Sequence, residues 1–139
     1  MNQQEMQEKF QEYQQLQQQV KQLQEYMEDI ENNIEELDTT KDAIDEIEST
    51  EKGEEVMVPL GSGAYVKADL KENSKVVVNL GSDAYAEKEV GKAKELLEDR
   101  KEKIKEAKKQ IQNSIEKSQD RLQELVPELQ KMRQRSQQK

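Results

Sequence analysis

Carboxylate pairs are the side chains in this sequence that come closest to a catalytic arrangement. Glu35-Glu36 and Glu54-Glu55 are examples, in a chain of 139 residues with 31 acidic side chains, no His and no Cys. Two carboxylates divide into an acid and a base only where a desolvated cleft separates their pKa values. Since 32% of the residues are hydrophobic, against about 45–50% in ordinary compact domains, we expect no such cleft. We interpret the pairs as solvated helix faces, and the sequence predicts no enzyme.

The short motif Gly61-Ser62-Gly63 is the other candidate for binding a small molecule. It is too short for a dinucleotide-binding loop, and it lacks the lysine and the helix start of a phosphate-binding loop. A hairpin turn is the stronger interpretation. Because His and Cys, the commonest ligands of zinc, are absent, we expect no metal and no cofactor.

Charge argues against nucleic acid as a partner of this chain, and hydropathy argues against membranes. The formal net charge is -9 and the pI about 4.8, whereas a nucleic-acid-binding protein needs a cationic track. No apolar run approaches the roughly 20 residues of a transmembrane helix, and the Gln- and Glu-rich N-terminus differs from a signal peptide. The lack of Cys fits a reducing compartment. We expect a soluble, cytoplasmic protein.

A repeated motif lies in the middle of the chain. Each copy has an apolar run, a glycine-containing turn and a second run of alternating character, which predicts a β-hairpin. The turns need backbone freedom that Gly61, Gly63 and Gly81 supply. The sequence therefore predicts two tandem β-hairpins within residues 54–88. The identical positions of the two copies are Val58/Val78, Leu60/Leu80, Gly61/Gly81, Ser62/Ser82, Ala64/Ala84 and Tyr65/Tyr85.

A heptad pattern precedes the hairpins. Eleven glutamines lie between Gln3 and Gln24, so the segment could be read as a disordered polar tract. Apolar residues at 3-4 spacing favour a coiled-coil helix over residues 1–50 instead, ending near Ser49. The seam of this helix is predicted at Tyr13, Leu16, Val20, Leu23, Met27, Ile30, Ile34, Leu37, Lys41 and Ile44.

A second heptad pattern covers residues 89–139. Two registers join through Ile111 with 4-4 spacing, which is a stutter. Because Pro127 removes a helical hydrogen bond, we expect a bend or fraying near Leu125. The first register consists of Val90, Ala93, Leu97, Arg100, Ile104 and Ala107, and the second of Ile115, Ser118, Leu122, Leu125, Leu129, Met132 and Ser136.

Charge favours antiparallel pairing of the two helices. Residues 28–55 contain thirteen acidic and two basic residues, a net charge of -11, whereas residues 91–139 contain fourteen basic and nine acidic residues, a net charge of +5. An antiparallel arrangement sets the acidic part of the first helix beside the basic start of the second. Such pairs select register and orientation more than they stabilise the fold.

The hairpins are predicted to assemble with other subunits. Isolated hairpins are marginally stable, and segments such as Val76-Val77-Val78 are apolar on both faces of a strand. We therefore expect hairpins from several chains to form a shared β-barrel; the alternative is a small private sheet packed on the base of the coiled coil. The residues predicted to carry this oligomerisation are Val56, Val58, Leu60, Tyr65, Val66, Val76, Val78, Leu80 and Tyr85.

The whole pattern resembles the prefoldin family, in its alpha class. The long heptad helix, the segment Val58–Leu70, the segment Val76–Gly81 and a C-terminal helix with Leu125-Val126-Pro127 near its end carry the resemblance. Two hairpins between the helices favour the alpha over the beta class. The expected fold is mainly α with a small β region: a long antiparallel coiled-coil hairpin whose helices are joined by two tandem β-hairpins.

The resemblance implies an ATP-independent chaperone of two alpha-type and four beta-type subunits. In that family, the distal tips of the coiled coils hold unfolded or nascent polypeptides and deliver them to a group II chaperonin. The alternative is a structural coiled-coil adaptor or tether that binds one defined partner. The candidate client-binding residues are Met6, Phe10, Tyr13, Val126, Leu129 and Met132, although each of these could instead close the end of the coiled coil.

Overall fold

The structure, a computed structural model, describes residues 3–137, without the side chains of Ser136 and Gln137. The outer limits 1 and 139 of the predicted helical segments therefore lie outside the described residues. Two long helices are joined by two β-hairpins, which confirms the predicted fold class. The elements are helix α1 (Gln3–Ser49), strands β1 (Glu55–Gly61), β2 (Ala64–Asp69), β3 (Lys75–Gly81) and β4 (Ala84–Glu89), and helix α2 (Val90–Gln137).

The chain divides into two compact units. The helical unit contains the residues up to Asn33 and those from Ile104 onward, and so consists of one segment of α1 and one of α2. The hairpin unit spans Ile34–Lys103 and contains the end of α1, both hairpins and the start of α2.

Helix α1 ends where its sequence supplies capping groups. No Gly or Pro occurs between residues 3 and 49, so nothing interrupts the helix before its C-terminus. There the Thr50 hydroxyl donates to the carbonyl oxygen of Glu46 at 2.6 Å, and Gly53 adopts a positive φ of 87°. The Thr50 hydroxyl thus satisfies a helix carbonyl that would otherwise lack a donor, and Gly53 turns the chain in a backbone conformation that favours glycine. Helix α1 ends at Ser49, which confirms the predicted end.

The segments of α1 and α2 are antiparallel within each unit. In the helical unit, Lys9 pairs with Glu128 and Glu31 pairs with Lys108. A higher residue number in α1 thus faces a lower residue number in α2. The two helix segments in the hairpin unit are also antiparallel. Its ion pairs between the helices are Asp38–Lys101 at 2.6 Å, Asp45–Lys94 at 2.7 Å, Glu48–Lys94 at 3.6 Å, and Lys41–Glu98. The predicted pairing of the acidic part of α1 with the basic start of α2 is confirmed.

The heptad seam is confirmed in α1 and corrected in α2. Every residue predicted for the seam of α1 is buried or half-buried. In α2, however, Ala107 is exposed and Lys108 is half-buried in its place. The 4-4 spacing therefore runs through Ile104 and not, as predicted, through Ile111, which is itself half-buried. A lysine can cover an apolar seam with its aliphatic stem while its ammonium reaches a carboxylate, here Glu31 at 3.6 Å.

Helix α2 continues through its proline. Pro127 lies inside the helix, which extends to Gln137, and Leu125 is fully buried. Of the predicted bend or fraying near Leu125, the fraying is therefore wrong, and the bend stays a prediction. Packing of the seam stabilises the helix here although one backbone hydrogen bond is missing. The seam position predicted at Ser136 lies outside the described side chains.

Each hairpin is a separate two-stranded antiparallel sheet. Val58 pairs with Val66 in the first hairpin, and Val78 pairs with Ala86 in the second. Both have a register shift just before the turn, at Leu60 or Leu80, and both place the turn serine at positive φ. Identical motifs thus produce identical local geometry.

The core of the hairpin unit lies between the second hairpin and the two helices. Val76 and Val78 of β3 pack on the helices, as in the alternative of a private sheet, but each hairpin remains two-stranded. The Arg100 guanidinium fastens the hairpin by donating to the carbonyl oxygen of Asn79. The buried cluster consists of Ile44, Val78, Val90, Ala93 and Leu97, with Leu37, Val76 and Leu96 half-buried against it.

Candidate functional site

An apolar groove lies between α1 and α2 in the helical unit, near both chain ends. Its volume is about 760 Å³, within the range of ligand-binding pockets. Phe10 is 51% exposed and Val126 is 38% exposed in it. We call it the chain-end groove, and its lining residues are Met6, Gln7, Phe10, Gln11, Tyr13, Gln14, Val126, Leu129, Gln130 and Arg133.

The structure brings together five of the six residues predicted for client binding. Met6, Phe10 and Tyr13 lie on α1 and face Val126 and Leu129 of α2 across the groove. Met132 does not line the groove, because it is buried at 4% exposure in the seam. Of the two interpretations offered by the sequence, Met132 therefore closes the coiled coil, whereas Phe10 and Val126 leave apolar surface uncovered.

Ion pairs fasten the two helices beside the groove. The Lys9 ammonium lies 2.7 Å from the Glu128 carboxylate. The Arg121 guanidinium donates to both carboxylate oxygens of Glu12, at 2.7 and 3.2 Å. These hydrogen bonds lower the pKa of Glu128 and of Glu12 below the ordinary value, and the bonds to Glu12 and Glu124 raise the pKa of Arg121. Charged pairs of this kind hold the helices in register and leave the groove itself apolar.

Glutamines form a rim that the sequence reasoning missed. Gln7, Gln11 and Gln14 line the groove from α1 and Gln130 from α2. Within residues 3–137, none of these four side chains makes a hydrogen bond. A signal was present in the sequence, because the spacing 7, 11, 14 places these amides on one helix face beside Met6 and Phe10.

The hairpins carry the second candidate surface. Both faces of the first hairpin retain exposed apolar residues, because Val58 and Val66 lie on one face and Met57 and Tyr65 on the other. A two-stranded sheet also leaves unpaired backbone groups along its edges. Exposed apolar side chains of the two hairpins are Met57, Val58, Leu60, Tyr65, Val66, Val77, Leu80 and Tyr85.

The residues predicted for oligomerisation divide into two groups. Val58, Leu60, Tyr65, Val66, Leu80 and Tyr85 are exposed, whereas Val56 and Val76 are half-buried and Val78 is 9% exposed. Val78 contributes to the core of its own chain, and its neighbour Val77, which the sequence reasoning did not select, is 69% exposed on the opposite face. Alternation of side chains along a strand explains the difference.

Among residues 3–137, no group of three or more acidic, Cys or His side chains is placed to hold a metal ion. None of the helices in that range has a stretch apolar enough to span a lipid bilayer.

The chain matches a protein-family model. The model is that of the prefoldin subunit, and it aligns with residues 11–135. The match includes both hairpins, most of both helices, and the groove residues Tyr13, Val126 and Leu129.

Curated relatives belong to the alpha class. The prefoldin alpha subunit of Methanococcus vannielii is 42% identical over 48 residues, which cover 34% of this chain and 33% of that protein. The alpha subunit of Thermofilum pendens is 37% identical over 62 residues, covering 45% of this chain and 48% of that protein. The chain thus spans about a third to a half of the length of the curated relatives it matches.

A solved structure shares the fold. A chain of the filamentous PFD from Methanocaldococcus jannaschii, determined by cryo-EM, superimposes with a TM-score of 0.76. The match covers 85% of this chain and 98% of that chain, at 23% sequence identity. With a family model matched over residues 11–135, alpha-class relatives and this shared fold, the chain belongs to the prefoldin family as a subunit of the alpha type.

Proposed function

We propose that this chain is a non-enzymatic, ATP-independent chaperone subunit that captures unfolded or nascent polypeptides. The observation that carries the proposal is the chain-end groove, where apolar side chains of two helices stay uncovered although the seam around them is closed. Concave, largely apolar clefts of several hundred cubic ångströms with a few polar groups are typical binding sites. Family membership supports a chaperone role.

The proposed assembly unites two copies of this chain with four beta-type prefoldin subunits. Its support lies in the hairpins, whose exposed apolar side chains and unpaired edges need a partner of the same kind. Several grooves in one assembly would engage a single client, and linked weak sites gain affinity through effective concentration. We place this assembly in the cytoplasm and propose that it delivers its client to a group II chaperonin.

Light scattering tests client capture. The chain is co-purified with a beta-type subunit, and a denatured, aggregation-prone protein is diluted into it without nucleotide. We expect the native assembly to suppress scattering, and a variant with Phe10→Ser and Val126→Ser to suppress it much less. Tyr26→Ser is the matched control, because Tyr26 is an exposed aromatic residue of the same helix that does not line the groove.

The outcomes separate capture from the alternative function. If the native assembly leaves scattering unchanged, the chaperone proposal is wrong, and the chain is better explained as an adaptor that binds one defined partner. If the groove variant and the control suppress scattering equally at unchanged oligomeric mass, capture occurs elsewhere than in the groove. Delivery is measured separately, as transfer of a labelled client from the assembly to a purified group II chaperonin during gel filtration.

A further inference from the structure

The chain-end groove combines an apolar floor with an uncharged amide rim. Among its ten lining residues, Arg133 is the one with a formal charge, in a chain in which 38% of residues are charged. A charged segment entering such a groove would lose hydration without gaining an opposite charge on most sides. The groove is therefore complementary to an uncharged polypeptide segment.

The rim has the length of a short extended segment. Gln7 and Gln11 are about 6 Å apart along the α-helix and Gln11 and Gln14 about 4.5 Å. Backbone groups on one edge of an extended chain repeat every two residues, or about 6.8 Å. From Gln7 to Gln14 the rim covers about 10.5 Å of helix, the length of about three extended residues.

Each rim amide is able to donate and to accept. A glutamine side chain carries two donors and an oxygen acceptor. Within residues 3–137, no hydrogen bond to another residue uses these groups in the four rim glutamines. An extended segment offers free N–H and C=O groups, whereas a helical segment has already paired its own. Hydrogen bonds to the backbone of a client do not depend on its side chains, so they suit a site that accepts many sequences.

We infer that the groove recognises uncharged, extended apolar segments, with Phe10, Val126 and Leu129 holding their side chains and the glutamine rim holding their backbone. The inference rests on the proposed function and names the class of client segment that the groove selects. On a purely apolar surface, by contrast, the backbone of the client would not contribute to binding.

Two ligands test the role of the client backbone. One is a labelled, uncharged peptide of about ten apolar and β-branched residues, and the other is its analogue with esters in place of alternate amides, which removes N–H donors. Binding to the chain is followed by fluorescence anisotropy. We expect the ester analogue to bind about tenfold more weakly. Equal affinities would overturn the inference while leaving client capture intact, whereas no binding of either ligand would count against the proposed function itself.

A protein variant provides the complementary test. Gln7→Met, Gln11→Met and Gln14→Met together keep the length and helix propensity of the side chains but remove the amides. A purely apolar groove would bind the peptide equally or more tightly after this change, whereas we expect weaker binding and a smaller difference between peptide and ester analogue. The control carries Gln15→Met, Gln18→Met and Gln22→Met, three exposed positions outside the groove. Tighter binding by the groove variant, or preference for a helical apolar peptide, would overturn the inference.

Discussion

The Arg121 guanidinium of α2 holds the Glu12 carboxylate of α1 by two hydrogen bonds, at 2.7 and 3.2 Å. Planar, two-point contact of this kind fixes orientation better than a single contact does. Glu12 lies two residues from Gln14 on α1, the helix that supplies six of the ten residues lining the chain-end groove. It therefore sets the register of the helices beside the groove.

The first prediction concerns acid. Hydrogen bonds from Arg121 and Lys9 lower the pKa of Glu12 and Glu128, whose ordinary value is 4.5. A carboxyl with a lowered folded-state pKa stabilises the fold above its unfolded pKa, and it loses this contribution as the pH falls through the lower folded value. We expect Glu12→Gln with Glu128→Gln to reduce slightly the fall in Tm between about pH 5 and about pH 3, as followed by circular dichroism.

The control for this prediction uses Glu8→Gln with Glu25→Gln. These α1 glutamates make no ion pair within residues 3–137. Their variant should keep the acid sensitivity of the native chain. If both double variants respond to acid alike, the ion pairs beside the groove do not contribute to the pH dependence of stability.

The second prediction separates stability from binding at two neighbouring residues. Leu125 is fully buried, so Leu125→Ala should lower the free energy of unfolding by about 2–5 kcal/mol. Val126 points into the groove, so Val126→Ala should change stability little and weaken client binding. Urea unfolding and fluorescence anisotropy measure the two effects. Equal loss of stability in the two variants would contradict the burial described for Leu125.

The third prediction uses the two faces of β3. Val78→Asp places a carboxylate inside the cluster with Ile44 and Leu97, and should unfold the hairpin unit or lower its Tm strongly. Val77→Asp places the same carboxylate in solvent, and should leave the helical content and Tm of the chain unchanged. Because a charge on a sheet face opposes burial by a partner, Val77→Asp should also prevent co-assembly with a beta-type subunit.

Gel filtration with light scattering measures that co-assembly. A hexamer formed as readily by the Val77→Asp variant as by the native chain would show that the outer face of the second hairpin is not used in assembly. Lys75→Asp is a useful comparison, because this exposed residue lies on the same face near the start of β3.

The elements that the sequence predicted are those that depend on local pattern. Heptad spacing identified the seam of α1 from Tyr13 to Ile44, because a helix places residues three and four apart on one face whatever it packs against. The repeated Leu-Gly-Ser motif identified both hairpins, because the turn is formed by its own residues. The direction of the helices is not local, but the charge difference between them identified it, because opposite charges select the antiparallel register.

The sequence misplaced a seam residue where burial depends on the residue that faces it from the other helix. Ala107 was placed on the seam because it is apolar, yet Lys108 occupies the seam and reaches Glu31. Periodicity alone does not decide between them, since the stem of a lysine packs as an apolar side chain.

The sequence by itself determined the two helices and the two hairpins, because these follow from periodicity and turn chemistry, and its motifs carried the resemblance to the prefoldin family. Only the tertiary structure decided that Met132 is buried while Phe10 is exposed, that Val78 faces inward while Val77 faces outward, and that four glutamines surround the groove. The reason is physical: exposure of a side chain is a property of the space left between packed elements, and that space is set by residues far apart in the chain.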